Sequence, residues 1–118
     1  MIRILEAARA EVARLERRAS LCLASTPVDR AGHRGALVRK ATLLAGLGHE
    51  LAPFLENLPA GIRRLAGACL GGFAYEAEKA LRLASVFYLS ALLYPPDHQP
   101  GEPNDLDVLI DELREDVP

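Results

Sequence analysis

The sequence has few aromatic residues, and this shortage limits the classes of fold it can adopt. Of its 118 residues 5% are aromatic and none is tryptophan, although half are hydrophobic. The apolar content is therefore mostly Ala and Leu, which are the strongest helix formers. Alternation of apolar and polar residues, the pattern of a half-buried strand, is scarce. The composition predicts an all-α protein, and the length suits one domain.

Cysteines and long apolar runs are also in short supply. Cys22 and Cys69 are too few for a disulfide scaffold and lack metal-ligand spacing. Both lie on apolar helical stripes, so we interpret them as small buried side chains rather than as a redox pair. No apolar run reaches the ~18 residues of a membrane span. Charges at Arg3, Glu6 and Arg9 argue against a secretory signal. We therefore expect a cytoplasmic protein without a membrane segment.

Apolar residues recur at spacings of three and four, which predicts a small bundle of three long antiparallel helices. The first helix is expected over residues 2–25. Its stripe is Leu5, Ala8, Val12, Leu15, Ala19 and Cys22, widened by Ile4, Leu21 and Leu23. The second is expected to begin at Pro27 with Thr26 as its cap. Gly46, Gly48 and Pro53 predict a kink or break in that helix, near Pro53.

The third helix is expected over residues 59–94, and it is the segment around which we expect the chain to pack. Over residues 80–94 it is apolar around most of its circumference, so other elements must cover it. Residues 66–72 are almost all Ala and Gly, which permits close approach of another backbone. The apolar surplus predicts a homodimer, with Phe87 and Tyr94 as interaction candidates.

The C-terminal segment is predicted to form a short amphipathic helix. Residues 95–103 contain four prolines and are expected to be an extended linker after a bundle core of residues 1–94. Asn104 is placed to cap a helix over residues 105–116, within an acidic segment 104–118. Its apolar stripe is Leu106, Leu109, Ile110 and Leu113. We expect this stripe to pack on the same domain or on a partner, and we name its residues as interaction candidates.

Charge is unevenly distributed along the chain. Residues 1–64 hold eleven Lys and Arg against six Asp and Glu (+5), whereas residues 65–118 hold three against ten (−7). The two halves should therefore attract each other, and the acidic face of the last helix should meet the basic first helix. Pairs three or four residues apart predict helical ion pairs. These are Glu6–Arg9, Glu11–Arg14, Glu76–Lys79 and Glu78–Arg82.

Basic residues of the first half raise the question of nucleic-acid binding. Arg39 and Lys40 are adjacent, and Arg63 and Arg64 flank a turn. Nucleic-acid-binding modules combine a strong basic excess with aromatic residues, whereas this chain has a net charge of −2 and no such aromatics. We interpret the basic residues as a solvated helix face and keep a nucleic-acid-associated factor as an alternative.

Residues 48–55, with the sequence GHELAPFL, resemble the phosphoacceptor box of the sensor histidine kinase dimerisation domain. In that box His-Glu-Leu is followed by a proline that bends the helix. The resemblance implies a phosphoacceptor role for His49. In this chain the proline lies one residue closer to the histidine, and Ala52 replaces the usual basic residue. We interpret His49 as an ordinary polar residue and keep a histidine phosphotransfer or small-molecule-binding bundle as an alternative.

The sequence carries no pattern that assigns a catalytic residue, cofactor or metal. No histidine has an acid three residues before it, as a di-metal bundle requires, and no glycine-rich loop follows a strand. Tyr75, Tyr88 and Tyr94 suggest either a ligand pocket or rim positions with wet hydroxyls, and we prefer the rim. We predict a non-catalytic interaction module, meaning an adaptor, regulator or assembly subunit with a protein partner.

Overall fold

The computed structural model describes residues 1–116, and these form five helices. The helices are α1 (Ile2–Ala24), α2 (Arg30–Leu55), α3 (Ala60–Leu83), α4 (Val86–Ala91) and α5 (Asp105–Asp116). The structure is 78% helical, and no strand occurs among the described residues. The prediction of an all-α bundle with three long helices and a short C-terminal helix is confirmed.

The buried stripe of α1 follows the predicted heptad spacing. The five residues from Leu5 to Ala19 on that stripe are at most 8% exposed. Leu21 and Leu23, expected to widen the stripe, are 70% and 45% exposed instead. Successive residues on a helix are about 100° apart, so Leu21 lies on the face opposite Ala19. Leu23 shares the face of Ala19 but lies one residue before the end of α1. They leave an exposed apolar end on α1.

The start of α2 differs from the prediction. The helix begins at Arg30, and its cap is Asp29, whose carboxylate accepts a hydrogen bond from the Gly32 amide at 2.8 Å. The expected start at Pro27 with Thr26 as the cap is therefore wrong. A Cβ at position 32 would lie 2.8 Å from Cys22 Sγ. Glycine at this position lets the first turn of α2 pack closely against the end of α1.

α2 is not broken at its weak positions. It runs through Gly46 and Gly48, and Pro53 lies in its last turn. Leu47 and Leu51 are at most 2% exposed, and burial of such residues outweighs the lower helix propensity of glycine. The proline removes one backbone hydrogen bond close to where the helix ends, so the cost falls on a turn that is already terminating.

The third predicted helix is wrong in its extent. α3 ends at Leu83, and Ala84 takes a left-handed conformation with φ of 50°. Ser85 then caps α4, with its hydroxyl accepting from the Tyr88 amide at 3.4 Å. The change of direction carries the next apolar residues into the core. Leu89, Leu92 and Leu93 are 1%, 7% and 6% exposed.

α2, and not the predicted third helix, is the central element of the bundle. It packs against α1 on one side and α3 on the other, and it also contacts α4. Residues 86–116 form a fourth leg that runs antiparallel to α1. The leg meets α1 in reverse order: Tyr94 with Glu16 at 2.8 Å, Asp107 with Arg9 at 3.5 Å, and Arg114 with Glu6 at 2.7 Å.

Of the two ion pairs between these helices, Arg9 with Asp107 has the predicted direction of charge, whereas Arg114 of α5 pairs with Glu6 of α1 in the opposite direction. The predicted ion pairs within helices also change. Glu11 and Arg14 pair at 2.6 Å as expected. Glu6 and Arg9 each bind α5 rather than each other. The pairs predicted for Glu76 and Glu78 are not among the ion pairs of residues 1–116.

α5 is capped and packed within its own chain. Asn104 and Asp107 exchange side-chain-to-amide hydrogen bonds of 2.8 and 3.0 Å, so the predicted cap is confirmed. The four apolar stripe residues of α5 are at most 1% exposed, against α1 and α3. Residues 95–103 form turns closed by backbone bonds from His98 to Pro95 and from Glu102 to Gln99, so they are not extended.

Candidate functional site

A cavity of about 470 Å³ opens between α3 and the fourth leg, in the gap where α4 has ended and α5 has not begun. Leu44 of α2 contributes to its lining from the centre of the bundle. Ala68 and Gly72 of α3 also line it, and their small side chains leave it open. The interruption of the fourth leg and the small-residue segment of α3 together create this space.

The lining of the cavity combines aromatic rings with a few charged groups. Its aromatic residues are Phe73, Tyr75, Tyr88 and Tyr94. Its charged residues are Glu76, Lys79 and Asp105. Lys79 Nζ lies 5.9 Å from the ring centroid of Tyr88, within the range of a cation–π contact. A pocket with mostly apolar walls and a few polar groups is the usual form of a small-molecule site.

The charged groups give the cavity a negative character at the end next to α5. Partial burial raises the pKa of the Asp105 carboxyl group, because it loses solvation of its charged form. Burial also raises the pKa of the Cys69 thiol, and the negative charges of Glu112 and Asp105 add to that effect. The thiol therefore stays protonated, and the field around it favours positive charge.

Beside the cavity lies an exposed apolar surface, which we call the α3–α4 face. It consists of Tyr75, Lys79, Leu83, Phe87 and Tyr88. The first three follow one another at spacings of four, so they share one side of α3. Phe87 is 75% exposed, and its ring packs edge-on against Tyr88 with centroids 5.6 Å apart.

A second polar cluster is buried where α1, α2 and the fourth leg meet. Lys40 is fully buried, and its ammonium donates to Glu16 Oε2 at 3.2 Å and to the Ser90 carbonyl at 3.3 Å. Tyr94 donates its hydroxyl to Glu16 Oε1 at 2.8 Å, and its ring centroid lies 5.1 Å from Lys40 Nζ. The Glu16 carboxylate of α1 thus contacts α2 through Lys40 and the fourth leg through Tyr94.

Burial sets the electrostatics of this cluster. Loss of solvent lowers the pKa of Lys40, and the Glu16 carboxylate opposes that change. Burial and the hydrogen bond to Glu16 raise the pKa of Tyr94 to about 12. Lys40 is fully buried. Its contacts, and those of Glu16, hold Tyr94 against the bundle, and Tyr94 forms part of the wall of the cavity.

The interpretation of Lys40 as part of a solvated basic face is wrong. The neighbouring Arg39 is exposed, as expected, but Lys40 is enclosed. Its position contained a signal, since it lies three residues after Leu37 and four before Leu44, in phase with the buried stripe of α2. A lysine in phase with a leucine stripe needs a buried acceptor, and here Glu16 supplies it.

The remaining predicted site residues fall into different environments. The stripe residues Leu106, Leu109, Ile110 and Leu113 are enclosed by the chain's own core. The three tyrosines all line the cavity, and Tyr94 is anchored by its hydroxyl. His49 is exposed on α2, and its phosphoacceptor role stays a prediction. Cys22 and Cys69 are half-buried and unpaired.

None of the helices within residues 1–116 has the length and apolar character needed to cross a membrane. In the same range, no three His, Cys, Asp or Glu residues are grouped so that they could hold a metal ion.

Comparisons with protein-family models, with curated proteins and with solved structures find no match for this chain.

Proposed function

We propose that the chain is a small, non-catalytic interaction protein that forms a homodimer through its α3–α4 face. The exposure of Phe87, at 75%, carries the proposal, because Leu83 and Tyr88 beside it are also 54% and 47% exposed. Contiguous exposed apolar patches of this kind are typical of protein interfaces. Aromatic residues are also enriched at the centres of such interfaces.

The charges around the face favour a second copy of the chain as its occupant. Glu76 and Glu78 supply negative charge, and Lys79 and Arg82 supply positive charge. None of these four residues belongs to the ion pairs found within residues 1–116. A two-fold axis places the same surface on both sides of the contact, so each acid can meet a base of the other copy.

The oligomeric state of two matched variants tests the proposal. Phe87→Ser removes the most exposed aromatic ring of the face and should give a monomer with unchanged helicity. Phe54→Ser is the control, because Phe54 is also exposed, at 43%, but lies at the end of α2 away from the C-terminal end of α3. It should leave the dimer intact.

Light scattering coupled to size-exclusion chromatography measures the outcome. The wild type and Phe54→Ser should show twice the mass of the chain. A wild type that stays monomeric at the highest soluble concentration would overturn the proposal. A Phe87→Ser variant that stays dimeric would show that a different surface forms the contact.

The wider role of adaptor, regulator or assembly subunit is part of the same proposal. A two-fold dimer presents each remaining surface twice, which suits a protein that brings partners together. We place this role in the cytoplasm. The unpaired Cys22 and Cys69 support that location, since reducing compartments keep thiols free.

A further inference from the structure

We infer that the cavity between α3 and the fourth leg binds a small organic cation with an apolar body, such as an aryl-substituted ammonium compound. Its volume of about 470 Å³ falls within the range of ligand pockets, roughly 300–1,000 Å³. The site adjoins the dimer contact proposed above, and Tyr75, Lys79 and Tyr88 belong to both surfaces.

The aromatic lining suits a cation. Tyr75, Tyr88 and Phe73 contribute rings to the wall, and the face of such a ring carries negative electrostatic potential. The Tyr88 ring already attracts an ammonium group, since Lys79 Nζ lies 5.9 Å from its centroid. A ligand ammonium that enters the cavity can replace that of Lys79 at the Tyr88 ring, and the lysine ammonium then moves away from the ring.

The balance of charge favours a cation over an anion. Two carboxylates, from Glu76 and Asp105, border the cavity against one ammonium from Lys79. Asp105 is exposed at the mouth of the cavity, and desolvation on its cavity side raises the pKa of its carboxyl group. A positive group placed beside it offsets that desolvation. An anionic ligand would meet both carboxylates and only one ammonium.

Space in the cavity depends on Gly72. A Cβ at this position would have no neighbouring atom within 4 Å, so a larger side chain can enter the cavity without a clash. Gly71 has equally open surroundings but does not line the cavity. The two adjacent glycines therefore provide a site variant and a matched control on the same helix.

Three soluble probes with the same ring and different charge test the inference. They are benzyltrimethylammonium, benzyl alcohol and benzoate, and binding is followed by amide chemical shifts in two-dimensional NMR. The cation should shift amides of residues 68–80 and 88–95 in a saturable way, and it should bind at least tenfold more tightly than either other probe. Equal binding of benzyl alcohol, tighter binding of benzoate, or no shift with the cation would overturn the inference.

Two variants locate the binding. Gly72→Leu should weaken binding of benzyltrimethylammonium at least tenfold, whereas Gly71→Leu should leave it unchanged. Tyr88→Leu keeps the apolar volume but removes the ring, and it should weaken binding about five- to tenfold. Unaltered binding by Gly72→Leu would place the probe elsewhere and reject this site.

The test separates the cavity from the dimer. Phe87 does not line the cavity, so Phe87→Ser should still bind benzyltrimethylammonium in a saturable way, although its ring packs against Tyr88. Gly72→Leu should in turn keep the oligomeric state of the wild type. Loss of probe binding in Phe87→Ser would show that the probe sits on the α3–α4 face instead of inside the cavity.

Discussion

At the scale of single residues, Lys40 and Glu16 determine how the fourth leg is attached. The ammonium is fully buried and the carboxylate keeps 26% of its side chain exposed, so the two groups contribute unequally. Removal of one partner leaves the other charge unpaired, and the cost is large when the remaining charge is buried and small when it keeps contact with solvent. The position of each charge, and not merely its presence, decides the cost of its removal.

Glu16→Gln should therefore destabilise the protein more than Lys40→Met. We expect a loss of about 3 kcal/mol for Glu16→Gln, because the buried ammonium keeps only neutral acceptors. Lys40→Met should change the free energy of unfolding by about 1 kcal/mol or less, in either direction. Urea denaturation at neutral pH measures both. The reverse order of stability would show that the ion pair is not what anchors the leg.

Tyr94 gives the protein a specific response to alkaline pH. Its pKa is about 12 in the folded protein, against an ordinary value of 10.0. The folded state therefore holds the phenol proton more tightly, and the resulting stabilisation is complete below pH 10.0 and is lost as the pH rises towards about 12. The difference in stability between the wild type and Tyr94→Phe should be positive at neutral pH and should shrink over this window. A constant difference would contradict the assignment.

Lys40 makes stability depend on pH in the opposite direction, and it does so at a lower pH than Tyr94. Its pKa in the folded protein lies below the ordinary 10.5, so the unfolded chain binds more protons between the two values. Stability should rise with pH across that interval, and Lys40→Met should remove the rise. Differences between each variant and the wild type isolate these two groups from the other lysines and tyrosines.

At the scale of elements, the bounds and buried faces of the amphipathic helices α1 and α5 could be predicted from the sequence. Those of the apolar segment 80–94 could not. α1 and α5 each have one apolar stripe and a charged remainder, so a single arrangement buries the stripe. The segment after Lys79 is apolar on nearly all sides, and such a segment has no preferred face. Its break at Ala84 also has no sequence signal, because glycine is the usual residue in a left-handed cap.

The apolar face of α5 belongs to the core, and one variant on its buried face and one on its exposed face test its contribution to stability. Ile110 is fully buried, and Ile110→Ala should lower the free energy of unfolding by about 2–5 kcal/mol through loss of apolar contacts and the cavity left behind. Val108, two residues earlier, is 41% exposed, and Val108→Ala should cost about 0.5 kcal/mol or less. Thermal and urea unfolding compare the pair. Equal small effects would mean that α5 does not stabilise the bundle.

At the scale of the whole molecule, the candidate site could be predicted only in part. The sequence offered the three tyrosines either as pocket residues or as rim residues, and the rim interpretation was preferred. The cavity that they line arises from the gap between α4 and α5 and from the small residues of α3, which are tertiary features. The overall charge asymmetry accounts for one of the two ion pairs between α1 and α5, Arg9 with Asp107, but not for Arg114 with Glu6. Which acid pairs with which base between α1 and α5 was not predictable from the sequence, because several of these residues lie within reach of one another.

The reversed pairing of α1 with the fourth leg has a consequence for the order of folding. The contacts of α1 with α2, and of α2 with α3, join neighbouring helices, whereas the bond between Glu6 and Arg114 spans 108 residues. Contacts between distant residues carry a larger loop-closure entropy and form after local ones. The three long helices should therefore assemble first, with an apolar groove between α1 and α3 that stays open. During synthesis α5 emerges after the other four helices described, and it then closes that groove.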